Sequence, residues 1–262
     1  LELARNAFYE GYRNFIAAGG DGTSFEIING IFSPEGAGEM PFEPLAPEGR
    51  IRLGFLPMGT GNSFLRDFSD KGCEYAIESL VANRRRSCDL VKVTHDAGVL
   101  HFSNIFSVGF VADVGAMRNA KFARLGEFGY VAAVVAQVVG LAQNPMPMAL
   151  DDGATNHKPV TFLSINNSRF TGGKMMMAPQ ADTADGLLDV VCVGALGRLS
   201  LLQTFPKIFR GTHVLHPAVT QEQGRVVTFE LTRELDAMID GEILRILPKR
   251  LEVVPGVFDI CA

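Results

Sequence analysis

The sequence predicts an α/β domain built on a parallel sheet, followed by a second domain that is rich in β-strands. Two glycine-rich turns, at 19–23 and 58–62, each follow a short apolar run and open a helical segment. After residue 87 the chain changes to many short strand-like runs with few helices, which favours a sandwich-like architecture. Two strand–turn–helix units place both turns at one edge of a parallel sheet, where such sheets bind ligands.

Composition sets the broad class of the protein. The chain has 262 residues, of which 47% are hydrophobic and 20% charged, as in an ordinary globular protein with one large or two modest domains. Its formal net charge of -5 counts against nucleic acid as a partner. The basic triplet at 84–86 is typical of a solvated helix end.

Cysteine usage and apolar runs point to a cytoplasmic protein. The four cysteines are widely spaced, which is typical of reduced thiols. No signal peptide is visible. The longest apolar run, 130–142, is interrupted by Gln137 and is too short to span a bilayer, so we expect any membrane contact to be peripheral.

The first domain is expected to contain short, alternating helices and strands. The predicted helices are 1–12, 24–32 and 72–86, the predicted strands are 13–18 and 50–57, and a surface loop is predicted at 33–49. The apolar side of the third helix is predicted from the spacing of Tyr75, Ile77, Leu80 and Val81.

The remaining chain predicts a hairpin, one long helix and further strands. The hairpin joins 88–94 to 99–108, and the long helix covers 118–143, with an apolar half that packs on a sheet or lines a lipid groove. Later predicted elements are strands at 160–166, 187–193, 225–231, 235–239 and 251–255 and a helix at 199–209.

The first glycine-rich turn, Gly19-Gly20-Asp21-Gly22-Thr23, carries the strongest chemical signal. Glycines allow close approach of the backbone to a ligand, and free N–H groups at a helix start favour an anion such as phosphate. Asp21 suits the orientation of a metal, a water or a hydroxyl. The alternative is a plain strand-to-helix turn with Asp21 or Thr23 as the N-cap.

Two acidic motifs follow in the second half. Asp182, Asp185, Leu187 and Asp189 form a carboxylate-rich turn whose side chains and carbonyls suit a hard cation, or a plain Asp-Gly turn that enters a strand. Asp240-Gly-Glu242 follows an apolar strand and suits either a general base at a strand end or a type I′ hairpin turn.

These motifs, taken in order, carry a family resemblance. GGDGT at 19–23, PMGTGN at 57–62, APQADTADGLLD at 178–189 and DGE at 240–242 together resemble the diacylglycerol kinase catalytic domain family. That family also holds sphingosine and ceramide kinases and bacterial lipid kinases, and FRGTH at 209–213 is similar to a further family segment. The resemblance covers nearly the whole chain.

The resemblance implies a fold, an activity and its cofactors. The fold is an α/β nucleotide-binding domain of the NAD kinase and diacylglycerol kinase type followed by a β-sandwich-like domain. We expect the first domain at 1–87 with a returning segment 248–262, and the lipid-substrate domain at 88–247. The activity is ATP- and Mg²⁺-dependent phosphorylation of a lipid hydroxyl at a membrane surface, with diacylglycerol-like or sphingoid lipids as substrates and a homodimer as one assembly.

The resemblance also assigns residues. Asp240 is the expected general base, Asp21 is its rival, and a structural Mg²⁺ is expected at the Asp185 side chain with carbonyls of Asp182 and Leu187. Glu242 is expected to bind Mg²⁺ or support the nucleotide, and Asp113 to join a wider acidic network. The expected nucleotide-binding residues are Gly19, Gly20, Asp21, Gly22, Thr23, Gly59, Thr60, Asn62 and Glu242.

The sequence departs from the family in two places. Ser63 stands where family members often carry Asp, and Asp67 lies one helical turn further on as its potential replacement. The family's opening Asn-Pro-x-Ser-Gly segment is absent, and we expect it upstream of Leu1.

Two other functions compete with a lipid kinase. An NAD kinase shares GGDGT but needs a downstream Asn-Glu pair, which this sequence lacks. A non-catalytic lipid- or nucleotide-binding relative is favoured by Ser63, whereas the presence of Asp21 and Asp240 counts against it.

Overall fold

The structure, a computed structural model, describes residues 1–33, 49–59, 61–109 and 144–262. Thr60, Asp113, nearly all of the predicted loop at 33–49 and the predicted long helix at 118–143 lie outside the described residues.

The described helices are short. Four α-helices are α1 (Glu2–Tyr9), α2 (Asp21–Phe32), α3 (Cys73–Val81) and α4 (Arg198–Thr204). Three 3₁₀ helices cover Phe64–Asp67, Phe205–Arg210 and Thr212–Leu215. The predicted helix at 199–209 is therefore α-helical only as far as Thr204, because Pro206 lacks the N–H that a continuing α-helix needs.

The described strands fall into an early and a late group. The early strands are β1 (Asn14–Gly19), β2 (Arg52–Pro57), β3 (Arg86–His95), β4 (Gly98–Phe102), β5 (Ile105–Gly109), β6 (Asn144–Pro145), β7 (Met148–Leu150), β8 (Pro159–Val160) and β9 (Phe162–Asn166). The late strands are β10 (Phe170–Thr171), β11 (Met175–Met176), β12 (Leu188–Val193), β13 (Val219–Gly224), β14 (Val226–Phe229), β15 (Leu235–Ile239), β16 (Glu242–Ile246) and β17 (Pro248–Cys261). The sequence did not predict β13 or β16.

Two sheets form most of the described structure. A seven-stranded mixed sheet has the order β1-β2-β17-β14-β7, with β3 beside β17 and β4 beside β3. A six-stranded antiparallel sheet has the order β13-β12-β9-β5-β15-β16. β1 and β2 are parallel, so the two glycine-rich turns do lie at one edge of the first sheet. The predicted class, an α/β part followed by a β-sandwich-like part, is confirmed.

Three apolar cores hold these layers together. One packs α1, α2 and α3 against the parallel end of the first sheet and includes Phe32, Phe55 and Phe258. The second lies between the two sheets, where Phe102 faces Phe106, and the third covers the other side of the six-stranded sheet. Burial of large aromatic and branched side chains in these cores supplies the main stabilising free energy.

Strand β17 belongs to both parts of the molecule. Its end, Asp259–Cys261, pairs in parallel with β2. The strand pairs antiparallel with β3 along most of its length, and residues 250–252 also pair antiparallel with β14. Leu251 of this strand lies in the core between the sheets and Ile260 in the α/β core. The division into domains at 87/88 and 247/248 stays a prediction.

Two predictions about local structure were wrong. The predicted strand 99–108 breaks at Ser103–Asn104 into β4 and β5, which lie in different sheets. The apolar side of α3 was also misplaced: Ala76 and Ser79 are buried, whereas Ile77 and Val81 are exposed. Leu80 of this helix fills the space that a side chain at Gly54 of β2 would occupy.

Substitutions in these two settings should differ sharply in stability. Phe258→Ala should lower the free energy of unfolding by about 3–5 kcal/mol, because it leaves a cavity in a fully buried site. Val81→Ala should change it by less than about 0.5 kcal/mol, since this side chain is 83% exposed. Urea unfolding followed by circular dichroism measures both, and a large loss in Val81→Ala would contradict the observed orientation of α3.

Candidate active site

The two glycine-rich turns touch each other through their backbones. The N–H groups of Met58 and Gly59 donate to the carbonyl of Gly19 at 3.0 and 3.2 Å. A Cβ built on Gly59 would overlap the Cα of Gly20. The turns can approach this closely only because both positions are glycine.

Helix α2 begins directly at the first turn. Gly20 is its N-cap in an extended conformation and makes no side-chain cap, so neither Asp21 nor Thr23 caps this helix as the alternative interpretation required. The first N–H groups of an α-helix have no intrahelical acceptor and carry the positive end of the helix dipole. The strand-to-helix turn therefore presents backbone donors suited to an anion.

Asp21 joins the first turn to the second. Its carboxylate accepts the N–H groups of Ser63 at 3.0 Å and Phe64 at 3.3 Å, so it caps the 3₁₀ helix Phe64–Asp67 from a distant part of the chain. Burial raises the pKa of Asp21, and the hydrogen bonds from the Ser63 and Phe64 backbone and from the Ser63 side chain oppose that rise.

Asn62 shapes the second turn from within. It has a φ of 49°, and its side-chain oxygen accepts the N–H of Gly59 at 3.2 Å while its amide nitrogen donates to the Gly59 carbonyl. Asparagine tolerates this left-handed conformation better than most residues. Thr60, which was predicted beside it, lies outside the described residues.

Asp240 lies at the tip of a hairpin and is fully buried. Asp240 and Gly241 have φ values of 46° and 93° and join β15 to β16, which is the type I′ turn that the Asp-Gly pair suggested. The hairpin interpretation is thus correct, and it leaves the carboxylate pointing inward with an exposed fraction of 1%.

The Asp240 carboxylate is surrounded by backbone donors from the break between β4 and β5. Its Oδ2 accepts the Ser103 N–H at 2.9 Å and the Ser103 hydroxyl at 3.3 Å. Its Oδ1 accepts the N–H groups of Asn104 at 3.0 Å and Ile105 at 2.9 Å. These bonds explain why the predicted strand is broken, since three consecutive N–H groups point at a side chain instead of a neighbouring strand.

Burial raises the pKa of Asp240 to about 7. The N–H groups of Ser103, Ile105 and Asn104 oppose the rise, while the negative charge of Asp21 adds to it. Two motifs that are distant in sequence therefore place their carboxylates close enough to interact. A carboxyl group that titrates near neutral pH is suited to proton transfer.

Glu242 brings the same hairpin against α2. It is exposed at the start of β16, and its carboxylate lies against Gly22, where any Cβ would overlap it. At Gly19, in the same turn, a Cβ would overlap the Thr23 side chain. The first and fourth motifs are thus in direct contact.

The acidic turn at 182–189 forms a separate group. The Asp182 and Asp185 carboxylates each accept the backbone N–H of the residue two positions later in the chain. Burial is the main cause that raises the pKa of Asp89, and the negative charges of Asp185 and Asp182 raise it further. Asp89 accepts the N–H groups of Gly186 and Gly256, both at 2.7 Å. Within the described residues, no set of three or more Asp, Glu, His or Cys side chains is placed to hold a metal ion.

Comparison with known families agrees with this arrangement. The profile of the diacylglycerol kinase catalytic domain matches residues 1–93. The profile of the YegS C-terminal NAD kinase beta sandwich-like domain matches residues 104–262, more than half of the chain. The chain belongs to the family that carries this YegS C-terminal domain after a diacylglycerol kinase catalytic domain. It is accordingly an ATP-dependent lipid kinase.

Individual relatives support this assignment. A diacylglycerol kinase of Mycobacterium tuberculosis (strain ATCC 25618 / H37Rv) is 29% identical over 213 residues, which cover 80% of this kinase and 69% of the relative. A diacylglycerol kinase of Staphylococcus aureus (strain Newman) is 27% identical over 248 residues, which cover 91% and 71% of the two chains.

Solved structures show the same fold. One structure from Bacillus anthracis strain Sterne has a TM-score of 0.75 at 22% identity and covers 99% of this kinase and 83% of that chain. Another, of a diacylglycerol kinase from the same organism, has a TM-score of 0.66 at 20% identity and covers 98% and 80%.

The structure also shows a contact that sequence reasoning missed. Asp67, which the sequence offered as a potential replacement for an acidic residue at position 63, binds a distant arginine. It lies buried against Arg169, whose Nε and N–H donate to the Asp67 carboxylate at 2.8 and 3.1 Å. Burial raises the pKa of Asp67, and its bonds with Arg169 oppose the rise. No local pattern could have paired residues this far apart in the sequence.

Ser63 makes a second connection to the same segment. Its hydroxyl accepts the N–H of Gly173 at 2.9 Å, and Gly173 also lies against Gly61. The second turn is therefore fixed on one side by Asp21 and on the other by the segment 169–173.

Stability should depend on pH through Asp240. Its pKa is about 7 in the folded protein against 3.8 ordinarily, so the folded state binds more protons between these values. Asp240 makes its full contribution to the free energy of unfolding below about pH 4. That contribution decreases as pH rises toward 7, by about 1.4 kcal/mol in total for each unit of pKa shift. Urea unfolding across pH 4–8 should show this slope, and Asp240→Asn should make it shallower, because the contributions of other buried carboxyl groups remain. An unchanged slope in the variant would contradict the assignment.

The Asp67–Arg169 pair should be worth far more than an exposed pair. Arg169→Gln should lower the free energy of unfolding by about 2–3 kcal/mol, because it leaves a buried carboxylate without its charged partner. Adding Asp67→Asn should restore part of the loss. Arg245→Gln is the matched control, since its partners Glu234 and Asp236 are exposed and less than about 1 kcal/mol is expected. Equal effects of the two arginine substitutions would contradict this.

Proposed function

We propose that this kinase transfers the γ-phosphate of ATP to the free hydroxyl of a diacylglycerol-like lipid. The observation that carries the proposal is the contact between the two glycine-rich turns and the hairpin that holds the buried Asp240. Glu242 of that hairpin lies against Gly22, and the charge of Asp21 acts on Asp240. The relatives from Mycobacterium tuberculosis and Staphylococcus aureus are named diacylglycerol kinases, which supports the choice of lipid.

The polyphosphate is proposed to bind where the two glycine-rich turns meet. Phosphoryl transfer depends mainly on positioning and on neutralising charge, and backbone N–H groups at the start of α2 provide both. Gly19, Gly20, Gly22 and Gly59 keep side chains out of this edge. Asp21 and Asn62 act indirectly, because their bonds to Ser63, Phe64 and Gly59 fix the shape of the second turn.

Asp240 is proposed as the general base. A carboxylate offers about four acceptor positions, and four donors occupy them here. The weakest is the Ser103 hydroxyl at 3.3 Å. A lipid hydroxyl that replaces it would donate its proton to Oδ2 as its oxygen attacks the γ-phosphorus of ATP, while the three N–H groups hold the carboxylate still. The bond from the γ-phosphorus to the oxygen that bridges it to the β-phosphate breaks, and ADP leaves with the electron pair.

Asp21 is the rival base. Its carboxylate accepts the backbone N–H groups of Ser63 and Phe64, and it is less deeply buried than Asp240. The two candidates predict different pH profiles. Removing the Asp21 charge should lower the pKa of Asp240, since that charge is one of the causes that raise it.

A Mg²⁺ ion is proposed at the acidic turn and another with the nucleotide. Burial raises the pKa of Asp89, and the negative charges of Asp185 and Asp182 add to that rise, which supports a cation in this loop. The Asp185 side chain with the carbonyls of Asp182 and Leu187 would hold it, and Glu242 would face a nucleotide-bound ion. Such ions supply positive charge that stabilises folded acidic loops and polyphosphates.

The enzyme is proposed to work as a peripheral protein on the cytoplasmic face of a membrane, with a homodimer as one assembly. Among the described residues, no helix is long and apolar enough to cross a bilayer. A long-chain lipid stays in its bilayer or micelle, so the enzyme must come to that surface.

The test follows labelled γ-phosphate from ATP into micellar diacylglycerol, monoacylglycerol, phosphatidylglycerol, sphingosine and ceramide, with NAD as a soluble control. We expect diacylglycerol to be labelled. Asp240→Asn should lower kcat by about 10²–10⁴-fold. The wild-type rate should rise with pH through about 7 as Asp240 loses its proton, and Asp21→Asn should move that inflection to lower pH.

The matched control is Asp151→Asn. Asp151 also has a positive φ, 49°, and accepts two backbone N–H groups, but it lies in an exposed turn. Its substitution should leave the rate unchanged. A rising limb that persists in Asp240→Asn would overturn the assignment of the base, and transfer to NAD would overturn the substrate class.

A further inference from the structure

Residues 198–215 form a helical surface that exposes large apolar side chains. This 198–215 surface consists of α4 and the two following 3₁₀ helices, which pack on one another in order. Leu199, Leu202, Phe209 and Leu215 have exposed fractions of 70%, 39%, 51% and 79%. The segment is far from both ends of the sequence, and no other described residue covers these side chains.

The exposed side chains are not simply a loosely packed core. Leu201, Ile208 and His213 of the same segment are buried, so the segment already has an inward face. The apolar groups that remain outside are a second, outward set. Contiguous exposed apolar groups on a globular protein commonly mark an interaction site.

The charge of this segment is opposite to that of the whole molecule. From Gly194 to Gln221 the sequence contains no Asp or Glu, although the chain has a formal net charge of -5. Arg198, Lys207 and Arg210 are exposed, and none forms an ion pair with another described residue. Exposed leucine and phenylalanine beside unpaired basic groups is the composition of a protein face that enters the headgroup region of an anionic bilayer.

The 198–215 surface is connected to the active site through one segment. Gly211 packs against Met176 and Pro179, and His213 Nε2 lies 3.0 Å from the Met177 carbonyl. The segment 173–179, to which Met176, Met177 and Pro179 belong, also contacts the second glycine-rich turn, because the Gly173 N–H donates to the Ser63 hydroxyl. Only the segment 173–179 would therefore lie between a bilayer bound to the 198–215 surface and the second glycine-rich turn of the candidate active site.

We propose that the 198–215 surface docks this kinase onto bilayers that contain anionic lipid. The leucine and phenylalanine side chains insert among acyl chains near the interface, and the three basic side chains bind anionic headgroups. A second copy of the chain is a poorer occupant, because a two-fold interface centred here would bring Arg198, Lys207 and Arg210 against the same basic groups of the partner. The proposal adds a location to the peripheral binding proposed above, and it does not depend on turnover.

The test is flotation of the purified chain with vesicles, without ATP. One vesicle is phosphatidylcholine alone and the other is phosphatidylcholine mixed with phosphatidylglycerol. We expect binding to the anionic vesicle, and weaker binding as salt is raised. Each basic residue removed should weaken binding about fivefold, so Arg198→Gln/Lys207→Gln/Arg210→Gln should weaken it on the order of a hundredfold. Leu199→Ser/Leu215→Ser should weaken it about tenfold or more.

Two matched controls come from another exposed apolar face. Ile77→Ser and Val81→Ser on α3 remove side chains that are 50% and 83% exposed, yet lie outside the 198–215 surface. They should bind vesicles like the wild type. Circular dichroism melts of every variant check that the fold is kept, since all the substituted side chains are exposed.

Each result has a defined meaning. Equal vesicle binding by the wild type and the charge variant would overturn the proposal, as would loss of binding in the α3 controls alone. Conversion of a wild-type dimer to a monomer by Leu199→Ser/Leu215→Ser, with vesicle binding unchanged, would assign the surface to a second copy instead. Activity on a water-soluble short-chain diacylglycerol is measured separately: its absence would contradict the proposed substrate, and its presence in the docking variants would separate docking from catalysis.

Discussion

The buried carboxylate of Asp240, held by the N–H groups of Ser103, Asn104 and Ile105, is the interaction on which the arrangement of the two sheets depends. At these residues the chain leaves the first sheet and enters the second, and three backbone donors lose their strand partners. Unpaired buried donors would cost about 1–3 kcal/mol each. A single side chain from the β15–β16 hairpin satisfies all three and fixes the crossing point.

Buried hydrogen bonds connect the break between β4 and β5 to the 3₁₀ helix that follows the second glycine-rich turn. Asn167 donates to the Ser103 carbonyl and Ser168 to the Asn104 side chain, and the next residue, Arg169, binds Asp67. Buried side-chain hydrogen bonds of this kind restrict the elements that they join to one arrangement, although the Oδ1 atom of Asn167 accepts no hydrogen bond from a described residue. The positions of Asp240 and of the turn at 58–62 are thus set by one continuous network, which suits a reaction that depends on positioning.

The sequence was informative wherever function depends on local backbone chemistry. The turn at 19–23, the parallel pairing of β1 with β2 and the Asp240 hairpin all follow from short-range glycine and apolar patterns. Sequence could not show that Ser103 and Asn104 interrupt a run that reads as one strand, since the cause is a carboxylate from a distant hairpin. It also failed at α3, where the small residues Ala76 and Ser79 are buried and Leu80 fills the space over Gly54, a contact that depends on a glycine in a distant strand.

Strand β17 has a mechanical consequence for how this enzyme can move. This one continuous strand is hydrogen-bonded into the parallel end of the first sheet and also contributes to the core between the two sheets. The α/β part and the β-sandwich-like part are therefore not joined here by a flexible linker. Relative motion must bend the strand. Its pairing with β3 shifts register twice, between Pro248 and Arg250 at its start and between Val254 and Phe258 in its middle, where Gly256 has a φ of 58°. The Gly256 N–H is bound to Asp89, which also holds the acidic turn at Gly186. Charge at that turn and bending of this strand are therefore coupled through one carboxylate.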